Sequence, residues 1–504
     1  MIRLEDYVRR TLQAYVYDVA QETPLSKAQH LSRRLKNNIL LKREDLQPVF
    51  SFKIRGAYNK IASLSHEERA KGVICASAGN HAQGVALSAH KLGIKGIIVM
   101  PQTTPDIKVN AVKSFGGQVI LHGDAFDEAA LYAKELAASK GYTFIHPYDD
   151  LQVIAGQGTV AMEILRQHPQ KIDAVFIPVG GGGLMAGMAA YIKYVRPDIK
   201  VIAVEPEDAA CLKVALEANA RVTLAQVGLF ADGVAVAQIG EETFKVAQHC
   251  VDDVITCTTD EICAAIKDIF EDTRSIAEPA GALSLAGLKK YISRHQCEHQ
   301  TLVAIDSGAN MNFDRLRHIS ERTEIGEKRE AIFAVTIPEK AGSFKTFCQT
   351  LGKRNITEFN YRYADNKEAY VFVGIQLRAG HQERLDLKEN LEKKDYAVLD
   401  LSDDEMAKLH IRHLVGGHAG LADELLFRFE FPERPGALLN FLSRLSGHNI
   451  SLFHYRNHGA AYGRVLIGLQ LGKKSKEELI ASLQAVGYPF SEESDNPAYK
   501  LFLR

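Results

Sequence analysis

Lys53 stands in V-F-S-F-K-I-R-G-A, Val49 to Ala57, directly after a phenylalanine and with no charged residue between it and Asp45. An amine held among apolar side chains loses basicity, and a lysine of lowered pKa is the side chain of Schiff-base chemistry. Alone the signal is weak, because most lysines are solvated. A second stretch, A-V-F-I-P-V-G-G-G-G-L-M-A-G from Ala174 to Gly187, runs from a strand through four glycines into a helix. Several backbone N–H groups can then face one phosphate, and the helix dipole adds to the attraction. A third, A-S-A-G-N-H-A-Q-G from Ala76 to Gly84, offers Ser, Gly and Asn donors at a helix entry, with Ser77 or Asn80 as the expected N-cap. Such a loop suits a carboxylate; His81 within it reads as structural. A fourth, A-I-D-S-G-A-N from Ala304 to Asn310, places Ser307 and Gly308 at a strand's carboxyl end.

The glycine loop admits a second reading. Gly181, Gly183 and Ala186 fit G-x-G-x-x-A, and the following strand K-V-I-A-V-E ends in Glu205, where an acid would hold a ribose hydroxyl. Residues 174–205 by themselves are compatible with an NAD site.

These loops need a scaffold. G-V-I-C-A-S, G-I-I-V-M-P, Q-V-I-L-H, A-V-F-I-P-V, K-V-I-A-V-E and T-L-V-A-I-D read as buried strands, separated by Ala-rich stretches of helical spacing. The alternation predicts parallel α/β sheets, whose ligands sit at the carboxyl ends of strands. The 504 residues exceed one core and imply two or three domains. A net charge of -1 without long like-charged runs points away from nucleic acid and anionic membranes. No apolar run spans a bilayer, and the seven scattered cysteines form no C-x-x-C pair, so a reduced, cytoplasmic setting is expected.

After the charged stretch Glu321 to Glu330 the chain repeats itself. I-F-A-V-T-I-P-E-K-A-G-S-F from Ile332 matches L-F-R-F-E-F-P-E-R-P-G-A-L from Leu426, N-I-T-E-F-N-Y-R at Asn355 matches N-I-S-L-F-H-Y-R at Asn449, and V-F-V-G-I-Q-L at Val371 matches V-L-I-G-L-Q-L at Val465. Every pair lies 94 residues apart, and 15 of 46 aligned residues from Ile332 to Leu377 are identical without a gap, so the segment is duplicated. Each copy reads as a βαββ unit with a P-E-x-x-G turn, and its N-I step as a left-handed turn after the helix. One sheet face of such a unit needs covering, and the second copy is the expected cover. The unit resembles the ACT-like domain, which binds amino acids between paired copies.

Taken together, the four loops resemble the pyridoxal-phosphate-dependent serine/threonine dehydratases from about residue 5 to 322, and the repeats extend the likeness to the biosynthetic threonine dehydratases of that family. The resemblance implies a fold-type II pyridoxal-phosphate enzyme: two open α/β subdomains with mostly parallel sheets, then two α+β ACT-like regulatory domains. It implies a catalytic domain at 1–322, a linker at 323–330, ACT-like domains at 331–402 and 425–496, a linker or helix at 403–424 and a tail at 497–504. Lys53 falls on the Schiff-base lysine and Phe52 lies against the cofactor ring. Asn80 falls on the residue that bonds the ring hydroxyl. Gly180, Gly181, Gly182, Gly183 and Leu184 fall on the phosphate loop, and Ser307 on the pyridine nitrogen. Ser77, Ala78, Gly79, Asn80 and His81 fall on the substrate-carboxylate loop. A serine on the pyridine nitrogen would favour β-elimination over transamination. Where related serine racemases carry a cation-binding glutamate, carbonyl and aspartate, this chain has Glu205, Ala209 and Cys211, so no metal is expected.

The implied reaction removes water and ammonia from L-threonine to give 2-oxobutanoate, opening isoleucine biosynthesis, with L-serine as a second substrate. Isoleucine would inhibit, valine oppose, and Tyr361 and Tyr455, equivalent in the repeat, would line effector sites, unless they are core aromatics. A homotetramer is implied. A serine-preferring or catabolic dehydratase is the alternative within the family; an NAD-dependent oxidoreductase and a non-enzymatic amino-acid sensor are the alternatives outside it.

Overall fold

Each of the six β-branched runs forms a strand, and the strands sort into two sheets. The computed structural model describes residues 3–102, 104, 106–123, 126–228, 230–313, 315–326, 329–340, 342–362, 368–404, 421, 423–432, 437–445, 448–456, 462–472, 475–488 and 490–495. Gln118–Leu121, Gly96–Met100, Val73–Ala76 and Thr143–Phe144 form, in that order, a parallel four-stranded sheet. Leu25–Lys27, Asn38–Arg43, Thr301–Asp306, Ala174–Pro178, Lys200–Pro206 and Asp253–Cys257 form a six-stranded sheet, antiparallel only between its first two strands. Val73–Ala76, Gly96–Met100 and Ala174–Pro178 are buried along their whole length, as strands covered by helices on both faces must be. The chain divides into two compact units between Gly326 and Glu327. The helix Arg315–Gly326 therefore runs into the charged stretch expected to be a linker.

The apolar segment before Lys53 is not a strand. Pro48 opens a tight turn closed by Phe50 N–H on the Gln47 carbonyl (2.7 Å), and Phe50 takes φ 54°. Only Ser51 makes a bridge, to Gly308, and the helix Lys53–Ala62 begins at the lysine itself. That helix is anchored two residues on. The Arg55 guanidinium, fully buried, donates to Glu44 (2.7 and 2.8 Å) and to Glu163 (2.6 and 2.9 Å). Lys42 Nζ completes the cluster on Glu163 at 2.6 Å. Two cations against two carboxylates leave no net charge in the interior, which is what makes such burial tolerable.

In the second unit each copy is larger than the expected βαββ. Glu330–Pro338, Ser343–Leu351, Ile356–Arg362, Glu368–Gln376, His381–Glu392 and Ala397–Asp400 give βαββαβ. Glu424–Pro432, Ala437–Arg444, Asn449–Arg456, Tyr462–Gln470, Lys476–Val486 and Phe490–Glu492 repeat it. The extra helix and strand continue the duplication at an offset of 92: Leu387, Leu391 and Tyr396 answer to Leu479, Leu483 and Tyr488. Two deleted residues hide that continuation from a fixed-offset comparison.

The copies do not cover one another. They join edge to edge in one antiparallel eight-stranded sheet through Ile356–Arg362 and Asn449–Arg456. The register sets Asn360 opposite its own counterpart His454, so the seam is symmetric. Tyr361 faces Phe453 and Tyr455 faces Phe359 across it, within a Phe-rich core. The N-I step also differs from expectation. Gly352, at φ 73°, ends the first helix, while Asn355 Nδ2 donates to Gln376 Oε1 at 2.7 Å and Asn449 pairs likewise with Gln470. The expected linker or helix at 403–424 lies largely, and the tail at 497–504 wholly, outside the described residues.

Candidate active site

Backbone bonds stitch the Lys53 and Ser307 loops together. Phe52 N–H donates to the Ser307 carbonyl (3.3 Å), Ala309 N–H to the Phe50 carbonyl (2.9 Å), and Asn310 Nδ2 to the Val49 carbonyl (2.7 Å). The Asn80 helix packs directly on the lysine: a Cβ on Gly84 would stand 3.2 Å from the Lys53 carbonyl carbon. Pro147 and Tyr148 then join Lys53 to the glycine loop. Lys53 Nζ donates to the Pro147 carbonyl (3.0 Å), and a Cβ on Gly181 would overlap the Tyr148 ring at 2.3 Å. On the other side, a Cβ on Gly180 would meet Val234, while one on the adjacent Gly233 would stand 3.8 Å from Asn80 Nδ2. The structure thus brings Lys53, Asn80, Gly180–Gly183 and Ser307 around one centre.

Burial lowers the Lys53 ammonium to about 8, against the opposing pull of Glu278, so the free amine is accessible near neutrality. The amine also lies 5.3 Å from the centre of the Phe52 ring. Ser307 Oγ donates to the Ala280 carbonyl at 3.2 Å and is buried. His81 is buried with Nε2 at 2.9 Å from the Ile145 carbonyl, and burial pushes its imidazole down to about 3. It is a neutral structural ring, leaving only its backbone to serve a ligand. The helix Asn80–Lys91 is capped by Gly79, not by Asn80 or Ser77; Ser77 Oγ instead accepts from Gly79 N–H at 3.2 Å. Ser77, Ala78, Gly79 and Asn80 keep partial exposure.

The glycine loop fits an anion. Gly182 takes φ 91° and precedes the helix Gly183–Val195. Among the described residues none accepts a hydrogen bond from the N–H groups of Gly180 to Leu184, although the loop is buried. Buried donors in such a row call for an acceptor that is not protein, and a phosphate supplies it. The loop's carbonyls are spoken for: Thr243 Oγ1 bonds Gly181 (2.8 Å) and Cys211 Sγ bonds Gly180 (3.4 Å).

Glu205 is not available to a ribose. Its carboxylate is buried and accepts the N–H groups of Leu212 (2.7 Å) and Lys213 (2.9 Å), capping the helix Cys211–Ala218. The NAD reading fails at that residue.

Sequence reasoning passed over Glu278. This carboxylate, 3% exposed, heads the helix Pro279–His295 and accepts from Asn80 Nδ2 at 2.5 Å; burial raises it to about 7, with Asp232 adding to the rise. Its only signal, an acid before a helix-opening proline, is that of any N-terminal turn. Tyr148 and Val234, which shape the glycine loop, carry no local signal at all.

In the second unit a small cleft of about 80 Å³ lies between the copies. Ile337 and Phe344 of the first and Leu442, Leu445 and Ile450 of the second give it an apolar wall. Glu339, Lys340 and the Tyr361 hydroxyl, which donates to Glu339, line its polar side. Tyr361 and Tyr455 are both buried, with rings in the core.

A lysine of lowered basicity beside an orphaned anion cradle, at the carboxyl ends of parallel strands, defines an enzyme that works through a phosphorylated carbonyl cofactor. The comparisons agree. Residues 16–308 match the pyridoxal-phosphate dependent enzyme family, and residues 321–411 and 415–503 each match the C-terminal regulatory domain of threonine dehydratase. The biosynthetic L-threonine dehydratase of Burkholderia multivorans is 57% identical over 99% of both chains, and that of Escherichia coli 57% over 99% of this chain and 97% of its own. The processed form of threonine deaminase isoform 2 from Solanum lycopersicum superposes with a TM-score of 0.62 at 50% identity, over 63% of this chain and 93% of its own. Maize serine racemase does so with 0.58 at 33%, over 62% and 95%. The chain belongs to the pyridoxal-phosphate-dependent enzymes, in the branch that carries the threonine dehydratase regulatory domain. Among the described residues no helix is long and apolar enough to cross a membrane.

Proposed function

We infer that this protein is a threonine ammonia-lyase, which dehydrates and deaminates L-threonine to 2-oxobutanoate and ammonia. The observation that carries the reading is the row of N–H groups from Gly180 to Leu184 without acceptors among the described residues, joined through Tyr148 and Pro147 to Lys53. Pyridoxal phosphate, when bound, supplies an electron sink for the carbanion formed at the substrate's Cα.

This chain's residues do the rest. Lys53 Nζ would hold the cofactor and would take the Cα proton of the substrate; a pKa near 8 suits an amine for both tasks. Phe52 supplies the apolar side of the ring site. The N–H groups of Gly180–Leu184 hold the phosphate. Ser77, Ala78, Gly79 and the helix entry at Asn80 and His81 receive the substrate carboxylate, where the dipole favours an anion. Asn80 would bond the cofactor's ring oxygen, and Ser307 would face the ring nitrogen without the charge that a carboxylate would bring. L-serine, one methyl smaller, is expected as a second substrate.

The catalytic part is assigned to 1–322 and the regulatory parts to 331–402 and 425–496. The cleft beside Tyr361 suits an aliphatic amino acid: apolar wall for the side chain, Glu339 for the ammonium, and the N-terminus of Ser343–Leu351 with Lys340 for the carboxylate. Isoleucine is assigned there as inhibitor, with valine opposing it. Tyr455, the counterpart of Tyr361 in the second copy, is assigned to a second effector site; the residues that answer there to Glu339 and Gly342 lie outside the described residues. A homotetramer in the cytoplasm is the expected working form. Steady-state formation of 2-oxobutanoate from threonine, against pyruvate from serine, with and without isoleucine, tests the reading. No keto acid from either substrate with added cofactor contradicts it.

A further inference from the structure

We propose that Glu278 is a positioning residue that fixes the amide of Asn80 in one of its two orientations, keeping one Asn80 N–H available to the ring oxygen of the bound cofactor. This rests on the reading of the site as a pyridoxal-phosphate site.

A side-chain amide has two N–H donors and one carbonyl, and a half-turn about its last bond exchanges them at little steric cost. Something must choose. Asn310 Nδ2 gives its two hydrogens to the Val49 carbonyl and to Asn80 Oδ1, each at 2.7 Å. On the other side Asn80 Nδ2 donates to Glu278 Oε1 at 2.5 Å. With Asn80 reversed, its NH₂ would face the NH₂ of Asn310, and its oxygen would face the Glu278 carboxylate. With Glu278 ionised both contacts are repulsive, so donor and acceptor together then permit a single arrangement. In it one Nδ2 hydrogen belongs to Glu278 and the other remains.

Glu278 is well built for this task. Its N–H donates to the Gly308 carbonyl at 3.0 Å, tying it to the Ser307 loop. Pro279 fixes the helix start behind it, and Oε1 occupies the space a Cβ on Gly308 would need, 2.7 Å away. Asp232, Lys108 and Arg315 act on its charge, as do Lys53 and Asp306, with Lys108 bonded to Asp232 at 2.8 Å. Nothing in the proposed proton transfers uses Glu278. Its buried carboxylate is explained by Asn80, the polar side chain it holds.

The test uses full-length holoenzyme carrying Glu278→Gln, Asn80→Ala or both. The readouts are the ratio of visible to near-ultraviolet absorbance of the bound cofactor and the affinity of the apoenzyme for pyridoxal phosphate. In Glu278→Gln the new side-chain amide can donate to Asn80 and turn it, so the visible band should fall against the near-ultraviolet one. Affinity should weaken roughly 10- to 100-fold, as for loss of one charge-assisted hydrogen bond. The double variant should match Asn80→Ala alone, because the two residues act as a unit. A wild-type absorbance ratio in Glu278→Gln, or an effect that adds in full to that of Asn80→Ala, overturns the proposal. If Glu278→Gln does not fold, Asn310→Ala takes its place with the same criteria. A wild-type protein that takes up no cofactor overturns the site reading itself and the proposal with it.

Discussion

The catalytic and regulatory units both rest on sheets, but they place their chemistry in opposite ways. In the first unit the strands are mostly parallel and the central ones buried, and every candidate group sits in a loop at a strand's end or a helix entry, held by bonds to other loops far away in sequence. In the second, the sheet is antiparallel, two copies share one seam, and the candidate cleft is formed where a turn of one copy meets a helix end of the other. The first arrangement makes a site from many unrelated segments. The second makes a site from symmetry.

That contrast predicts effects confined to one unit. Lys53→Ala should abolish turnover by at least ~10⁴-fold, since the amine acts both in holding the cofactor and in general base catalysis. Calorimetry should show the regulatory unit unfolding as in wild type; a loss of regulatory structure would break the separation.

Glu205→Gln probes the catalytic scaffold without touching the loops assigned to ligands. Burial raises the Glu205 pKa from 4.5 to about 7 in the folded chain, so folding favours the protonated acid. Its contribution is fully present below about pH 4.5 and is lost as pH rises through 7. Between pH 4.5 and 8 wild-type stability should fall by roughly 2–3 kcal/mol relative to Glu205→Gln. Denaturant unfolding at the two pH values measures this, and parallel profiles would remove the titration from the account.

Gly181→Ala sets a methyl group against the Tyr148 ring. Overpacking of that kind costs about 1–3 kcal/mol, and titration of the apoenzyme should show cofactor affinity reduced about tenfold or more. Unchanged affinity would show that the loop yields, and that its shape does not depend on Tyr148. In the other unit, Glu339→Gln keeps an acceptor for Tyr361 but removes the charge facing an ammonium. The isoleucine concentration for half inhibition should rise roughly tenfold, with uninhibited kcat unchanged. Equal inhibition of variant and wild type would empty the cleft of its assigned role.

The same contrast governs what could be read from the sequence. Strands such as Ala174–Pro178 and Thr301–Asp306 were legible because burial on both faces demands continuous apolar runs. The glycine loop was legible because a phosphate cradle needs small residues in a row. Lys53 was legible only in company, since the apolar run before it packs as a turn and not as a strand. Glu278 was not legible, because its partner Asn80 is 198 residues away and an acid at a helix start is ordinary. In the repeats, identity at a constant offset exposed the duplication, yet the two-residue deletion hid the second helix and strand. The edge-to-edge seam left no mark either: the alternation along Ile356–Arg362 would suit face-to-face packing as well as pairing in register.

Reduction of the holoenzyme with borohydride, followed by peptide mapping, tests the central claim most directly. The cofactor mass should be found on the peptide carrying Lys53, at about one per chain, and should disappear in Lys53→Ala. Label on any other lysine, or none on wild-type protein saturated with pyridoxal phosphate, would contradict the account.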